Sequence, residues 1–175
     1  IKIAAEGLLH KSEAGGIRLN LRNAEELRVA YKNMICHISQ NYPQAHVLGV
    51  MVEKMALKGQ EVIVGMRRDA TFGPMLMFGM GGVLVEQIKD ISFKVAPLSG
   101  EDIDDMLAST IAGKLLAGYR GAAKGDIAAV KDVIARLSQL GLDFPEIAEV
   151  EINPLIVYPE GQGALALDSR AILKY

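Results

Sequence analysis

A chain of 175 residues, half of them apolar and 23% charged, can bury a core and is too hydrophobic to persist as an unfolded tail. Its formal charge of −2 offers no basic footprint for DNA or RNA, so no nucleic-acid partner is expected. One cysteine, Cys36, excludes an internal disulfide, no Cys and His cluster has zinc spacing, and the apolar runs are too short to cross a bilayer; the expected setting is the cytoplasm, away from membranes. No signal-peptide pattern is visible, and because the chain opens on Ile1 instead of Met, natural residues upstream are expected.

Strand-like and helix-like patterns alternate without repeats, which predicts an α/β or α+β fold. Ile1 to Ala5 and Ile17 to Leu21 read as short strands around a loop that holds His10, Lys11, Gly15 and Gly16. From Asn23 the apolar period becomes helical through Leu27, Ala30, Tyr31, Met34, Ile35 and Ile38, with Asn23 and Glu26 at capping-box spacing and Pro43 beyond the end. Val47 to Val52 and Glu61 to Met66 read as strands, and FGPMLMFGMGGVLVEQIKDISFKVAPL as an antiparallel meander punctuated by glycine and proline. Ser99 and Asp102 open a helix; Asp126 caps another, whose stripe of Ile127, Val130, Val133, Ile134, Leu137 and Leu140 is expected to stop at Gly141. IAEVEINPLIVYPEGQGALALDSRAIL reads as a hairpin, and the whole divides into a lobe of residues 1–45 and a larger one of residues 46–175.

If Glu160 and Gly161 are the central turn residues of that hairpin, Asn153 falls opposite Asp168, and Glu151, on the same face, opposite Arg170. Two hard oxygen ligands side by side suit Mg²⁺, which is commonly held by one or two protein groups while phosphates and water complete its shell. An ordinary hairpin with polar residues on its solvated face has the same pattern, and spacing alone leaves both open.

The remaining candidates are weaker when taken singly. Gly79, Gly81 and Gly82 could let backbone N–H groups approach phosphate, although the run lacks both Walker and GxGxxG spacing and equally suits a turn between buried strands. Met75, Met77 and Met80 read as core. Lys2, Lys11, Arg67 and Arg68 could meet phosphate oxygens or simply be solvated. His10 could accept a phosphoryl group if a neighbour orients its ring; His37 and His46 read as structural.

In combination, KIAAEGLLHKSEAGGIRLNL, GQEVIVGMRRDATFGPMLMFGMGGVLVEQIKDISFKVAPL, LLAGYRG and VEINPLIV followed by LALDSRAIL resemble, in order and along essentially the whole chain, the ATP-grasp domain of ADP-forming (NDP-forming) acyl-CoA synthetases. The nearest type is the β subunit of acetate-CoA ligase (ADP-forming), related to the succinyl-CoA synthetase β subunit. The resemblance implies an α/β (α+β) ATP-grasp fold of two subdomains: a partial first one at 1–45, carrying the HKS and GG loop, and a second at 46–175, ending in a Mg²⁺-binding hairpin. That family's domain begins with a helix and a strand ahead of the segment matching Ile1, so the first subdomain is expected to lack its N-terminal part. AAEG also replaces the usual SPD-like sequence before HKS.

Residue by residue, the resemblance implies that Lys2 binds ATP phosphates and that His10 takes a phosphoryl group from a phosphohistidine on a partner. Glu151 would steady the phosphohistidine, itself held by Arg170, with Asn153 and Asp168 as Mg²⁺ ligands. MVEKM, with Val52, Glu53 and Met55, would read adenine as the interlobe linker, Glu61 would lie further along the pocket, and Gly81 and Gly82 would border the phosphates. It implies ATP or ADP and Mg²⁺ as cofactors, a small carboxylic acid substrate and an oligomer. CoA would be bound by a ligase domain or α subunit with its own phosphohistidine. Two competing readings are a regulatory ATP-grasp domain fused to a protein lysine acetyltransferase, and a carboxylate-amine ligase that uses no phosphohistidine.

Overall fold

The computed structural model describes residues 1–8, 11–82, 90–121 and 123–174. The chain forms two compact units, Ile1–Ala56 and Leu57–Tyr175. His10 lies outside the described residues.

In the first unit, strand β1 (Lys2–Glu6) pairs antiparallel with β2 (His46–Met51), and helix α1 (Ala24–Asn41) supplies the rest of the core. Because β2 pairs with β1, the unit extends to Ala56, past the boundary expected at residue 45. Ile3, Leu8, Ala14, Met34 and Ile38 are buried together. Helix α1 starts where the sequence indicates: the Glu26 N–H donates to Asn23 Oδ1 at 2.9 Å. The Glu26 carboxylate accepts from the Arg22 N–H at 2.9 Å, so the reciprocal bond reaches one residue further back than in a standard capping box.

The expected strand at Ile17 to Leu21 is not formed beyond a single bridge between Ile17 and Lys2. The chain instead closes a turn in which the Gly15 N–H donates to Ser12 O, the Gly16 N–H to Lys11 O and the Ile3 N–H to Gly16 O. Gly15 has φ +71°, and a Cβ on Gly16 would collide with the Ile3 side chain. The paired glycines therefore clasp the lysine-bearing loop against β1, beside Lys2.

The second unit is a six-stranded antiparallel sheet ordered β5-β4-β3-β6-β7, with β8 also paired to β6. The strands are β3 (Gln60–Asp69), β4 (Gly73–Met80), β5 (Ile91–Val95), β6 (Ile147–Val157), β7 (Ala164–Ala166) and β8 (Ser169–Leu173). Helices α2 (Gly100–Ser109), α3 (Ile111–Leu116) and α4 (Ile127–Asp143) cover one face. Val62, Val64, Met66, Leu76, Phe78, Leu155 and Val157 of the sheet meet Ile103, Met106, Leu116, Val130 and Ile134 of the helices in one core. Alternation along the strands sends Arg67, Met75, Met77, Glu149 and Glu151 to the opposite, open face.

Helix α4 is capped by Asp126 as expected but runs through Gly141 to Asp143. Gly141 is a contact point, since a Cβ there would lie 3.0 Å from Pro74 Cβ and 3.2 Å from Met66 Cγ. Arg68, considered above for phosphate, instead donates to the carbonyls of Gly141 and Phe144 near the C-terminal end of α4, and to Ile147 O. That guanidinium satisfies helix-end acceptors that would otherwise need water. No helix of the described residues is long and apolar enough to cross a membrane.

Candidate functional site

The terminal hairpin forms in the expected register. Glu151 pairs with Arg170, Ile152 with Ser169 and Leu155 with Ala166, while between these pairs the Asn153 N–H donates to Asp168 O at 3.0 Å. The turn closes from the Gln162 N–H to Pro159 O, with Glu160 and Gly161 between them and Gly161 at φ +79°. Asp126 fixes this turn to α4: Oδ1 accepts from the Ala129 N–H at 3.0 Å and Oδ2 from the Gly163 N–H at 2.8 Å. The Gly163 and then the Ala129 N–H hold its carboxyl below the ordinary carboxylate value. One aspartate thus caps a helix and anchors the hairpin that carries Asp168, a second role that its cap position in the sequence does not reveal.

Asn153 is held from the other side by the glycine run after β4. The Gly82 N–H donates to Asn153 Oδ1 at 2.9 Å, and the Gly81 N–H donates to Glu61 O at 3.0 Å. Gly82 has φ +73°, and a Cβ on it would collide with Glu61 Oε2. Glu61, Gly82 and Asn153 therefore meet at one place, although 71 positions separate Gly82 from Asn153 in the chain. Two of the three N–H groups considered for phosphate, those of Gly81 and Gly82, thus have protein acceptors.

The donor chemistry suits a hard cation. An amide oxygen has two lone pairs, and the Gly82 N–H uses one, leaving Asn153 Oδ1 with a second for a cation. Among the described residues no group of three or more His, Cys, Asp or Glu side chains is poised to hold a metal. Two protein oxygens would leave most of an octahedral shell to other ligands.

On the open face beside this cluster, Glu151 lies between Gly65 of β3 and Arg170 of β8. The expected Arg170 to Glu151 contact is not made. Arg170 Nη2 donates instead to Glu149 Oε1 at 2.6 Å, because the twist of adjacent strands brings a diagonal neighbour within reach of a long side chain. Glu149 escaped the sequence reading; the alternation in EVEIN, which sets it one period from Glu151, was the available signal.

The first unit holds the other candidates. Lys2 pairs with Met51, so the lysine sits beside the start of the MVEKM segment, in which Val52, Glu53 and Met55 are exposed. Val52 is 64% exposed, one of several large apolar side chains at the surface.

The chain matches the ATP-grasp domain family over residues 1–173. It is 43% identical over 173 residues to acetate-CoA ligase (ADP-forming) I subunit beta from Pyrococcus furiosus, covering 99% of this chain and 74% of that subunit. It is 42% identical over 170 residues to 4-hydroxybutyrate-CoA ligase (ADP-forming) from Nitrosopumilus maritimus, covering 97% of this chain but only 24% of that longer protein. Among solved structures, the dinucleotide-forming acetyl-coenzyme A synthetase 1 of Ca. Korarchaeum cryptofilum, in complex with coenzyme A, Ca-AMPCP and HgCl+, is 44% identical with a TM-score of 0.90 over 99% of this chain and 75% of that one. The same protein with Mg-AMPPCP, its phosphohistidine segment pointing towards the nucleotide binding site, gives a TM-score of 0.84 at 42% identity over the same shares of the two chains. The fold and these likenesses agree: the chain belongs to the ATP-grasp domain family, in the branch formed by the β subunits and corresponding regions of ADP-forming acyl-CoA ligases.

Proposed function

We propose that this chain is the nucleotide-binding, phosphoryl-transfer part of an ADP-forming acyl-CoA synthetase. The overall reaction interconverts acyl-CoA, ADP and phosphate with the free acid, CoA and ATP. The observation that carries the reading is the pairing of Asn153 with Asp168, which the hairpin register makes and the Gly82 N–H braces.

In the ATP-forming direction, the phosphoryl group leaves an imidazole nitrogen for a terminal oxygen of ADP. The N–P bond breaks as the new P–O bond forms, and the electron pair returns to the ring. His10 is the local carrier, charged by a phosphohistidine on the partner. Glu151 accepts the other imidazole N–H and so selects the nitrogen that carries phosphorus. Lys2 offsets phosphate charge, Val52, Glu53 and Met55 line the adenine end, and Glu61 lies along the nucleotide. A magnesium ion held by Asn153 and Asp168 would offset the charge of the β- and γ-phosphates.

The substrate is a small carboxylic acid, the CoA site belongs to a partner subunit or fused domain, and the assembled enzyme is an oligomer of the cytoplasm. The longer single-chain relative supports a fused or associated partner. The regulatory alternative gains nothing from relatives whose names are those of ligases.

The test is labelling of the complete ligase with γ-labelled ATP and Mg²⁺, followed by mass spectrometry that preserves acid-labile phosphohistidine. Label on His10 that disappears in Asp168→Ala is the expected result. Label confined to the partner histidine would reduce His10 to positioning, and no label in folded protein would reject the proposal.

A further inference from the structure

Strand β6 presents Glu149 and Glu151 one strand period apart on the open face, and β8 sets Arg170 directly opposite Glu151. Opposite side chains begin with their Cβ atoms about 5 Å apart, so Glu151 is the short-range partner for that guanidinium. Arg170 nevertheless bonds Glu149, whose side chain is 24% exposed. Glu149 is also opposite Arg67 on β3, so it lies between two positions that carry guanidinium groups. Glu151 has Gly65 on its β3 flank, which contributes no side chain, and no bond to its carboxylate is found among the described residues.

We infer that Glu149 is a positioning residue whose ion pair with Arg170 keeps that guanidinium off Glu151, leaving the Glu151 carboxylate open to the imidazole N–H of the phosphoryl-carrying histidine. The inference rests on the role of Glu151 proposed above. Its physical basis is competition: an arginine fork can occupy both oxygens of a carboxylate in a bidentate pair and would displace a single imidazole donor. Were Glu149 neutral, Arg170 would return to the partner that the register gives it. The register thus creates the conflict, and Glu149 resolves it without touching the reacting atoms.

The experiment uses the complete ligase and follows single-turnover formation of phosphohistidine from γ-labelled ATP, with nucleotide affinity measured separately. Glu149→Gln is expected to slow labelling about tenfold while nucleotide affinity stays within about twofold, as for loss of a group that orients another. Arg170→Gln alone is expected to label at close to the native rate. The decisive variant is the double Glu149→Gln, Arg170→Gln, in which removal of the competitor restores labelling to within about threefold of native.

A purely structural ion pair would give no rescue, and a double variant as slow as Glu149→Gln overturns the inference, as does a Glu149→Gln rate equal to native. Absence of label in the native enzyme would instead reject the function proposed above, and the role of Glu149 with it. Thermal unfolding of the same preparations checks the fold. If Glu149→Gln does not fold, Glu149→Asp, which keeps the charge and shortens the reach, is tested against the same rescue.

Discussion

The Gly82 N–H donates to Asn153 Oδ1 at 2.9 Å, joining the glycine run after β4 to the strand that carries the candidate cation ligand. A ligand held by a second group has less freedom to lose when it binds, so partners of this kind govern affinity nearly as strongly as the ligands do. Gly82→Ala places a side chain at φ +73° and against Glu61 Oε2. Strain of about 1–2 kcal/mol is expected, together with weakening of Mg²⁺-nucleotide affinity by about tenfold. Titration with a fluorescent ADP analogue in the complete ligase measures the second effect, and an unchanged affinity would remove Gly82 from the site.

Asp168→Ala should act on the cation before the nucleotide. With one of the two proposed protein oxygen donors gone, the Mg²⁺ concentration needed for half-maximal nucleotide binding is expected to rise by about tenfold or more. Mn²⁺ binding followed by electron paramagnetic resonance gives a readout independent of turnover. Equal Mn²⁺ affinity in native and variant protein would show that Asp168 is not a ligand.

Asp126 supplies a pH-dependent contribution to stability. Its carboxyl is held below the ordinary value by the Gly163 N–H and then the Ala129 N–H, so the folded state binds a proton less readily than the unfolded chain. The contribution is present above the unfolded value of about 3.9 and is lost as pH falls through the lower folded value. Asp126→Asn should therefore destabilise the protein near neutral pH and matter progressively less on the acid side of about pH 4. Urea unfolding across that range tests the sign; a deficit independent of pH would contradict it.

Arg68→Met tests the reassignment of that residue. The guanidinium donates to three carbonyls at the join between α4 and β6, and its loss leaves those acceptors short of a charged donor. A destabilisation of about 2 kcal/mol is expected in denaturant unfolding, with nucleotide affinity unchanged. Lost affinity without lost stability would return Arg68 to the phosphates.

Much of the scaffold is legible because it is set locally. Asn23, Ser99 and Asp126 cap helices through their own side chains, and Ser99 with Asp102 completes a capping box within four consecutive residues. The hairpin register follows from one tight turn, which is why Glu151 opposite Arg170 is legible in the sequence. The expected strand at Ile17 to Leu21 failed for the complementary reason. Its alternation is genuine, but no second strand among the described residues extends the pairing beyond Ile17, and a strand exists only through its partner.

The sequence by itself determined the starts of α1, α2 and α4, the meander, the terminal register and the family, all of which depend on short-range chemistry or on motifs read in order. Only the tertiary structure decided that Arg68 serves a helix end, that Gly82 braces Asn153, that Asp126 holds the hairpin turn and that Arg170 chooses Glu149 over its register partner. These choices depend on sheet twist and on segments brought together from far apart in the chain. Periodicity states which face a side chain takes, whereas the competition among several donors and acceptors on that face is settled by distances that exist only once the strands are packed.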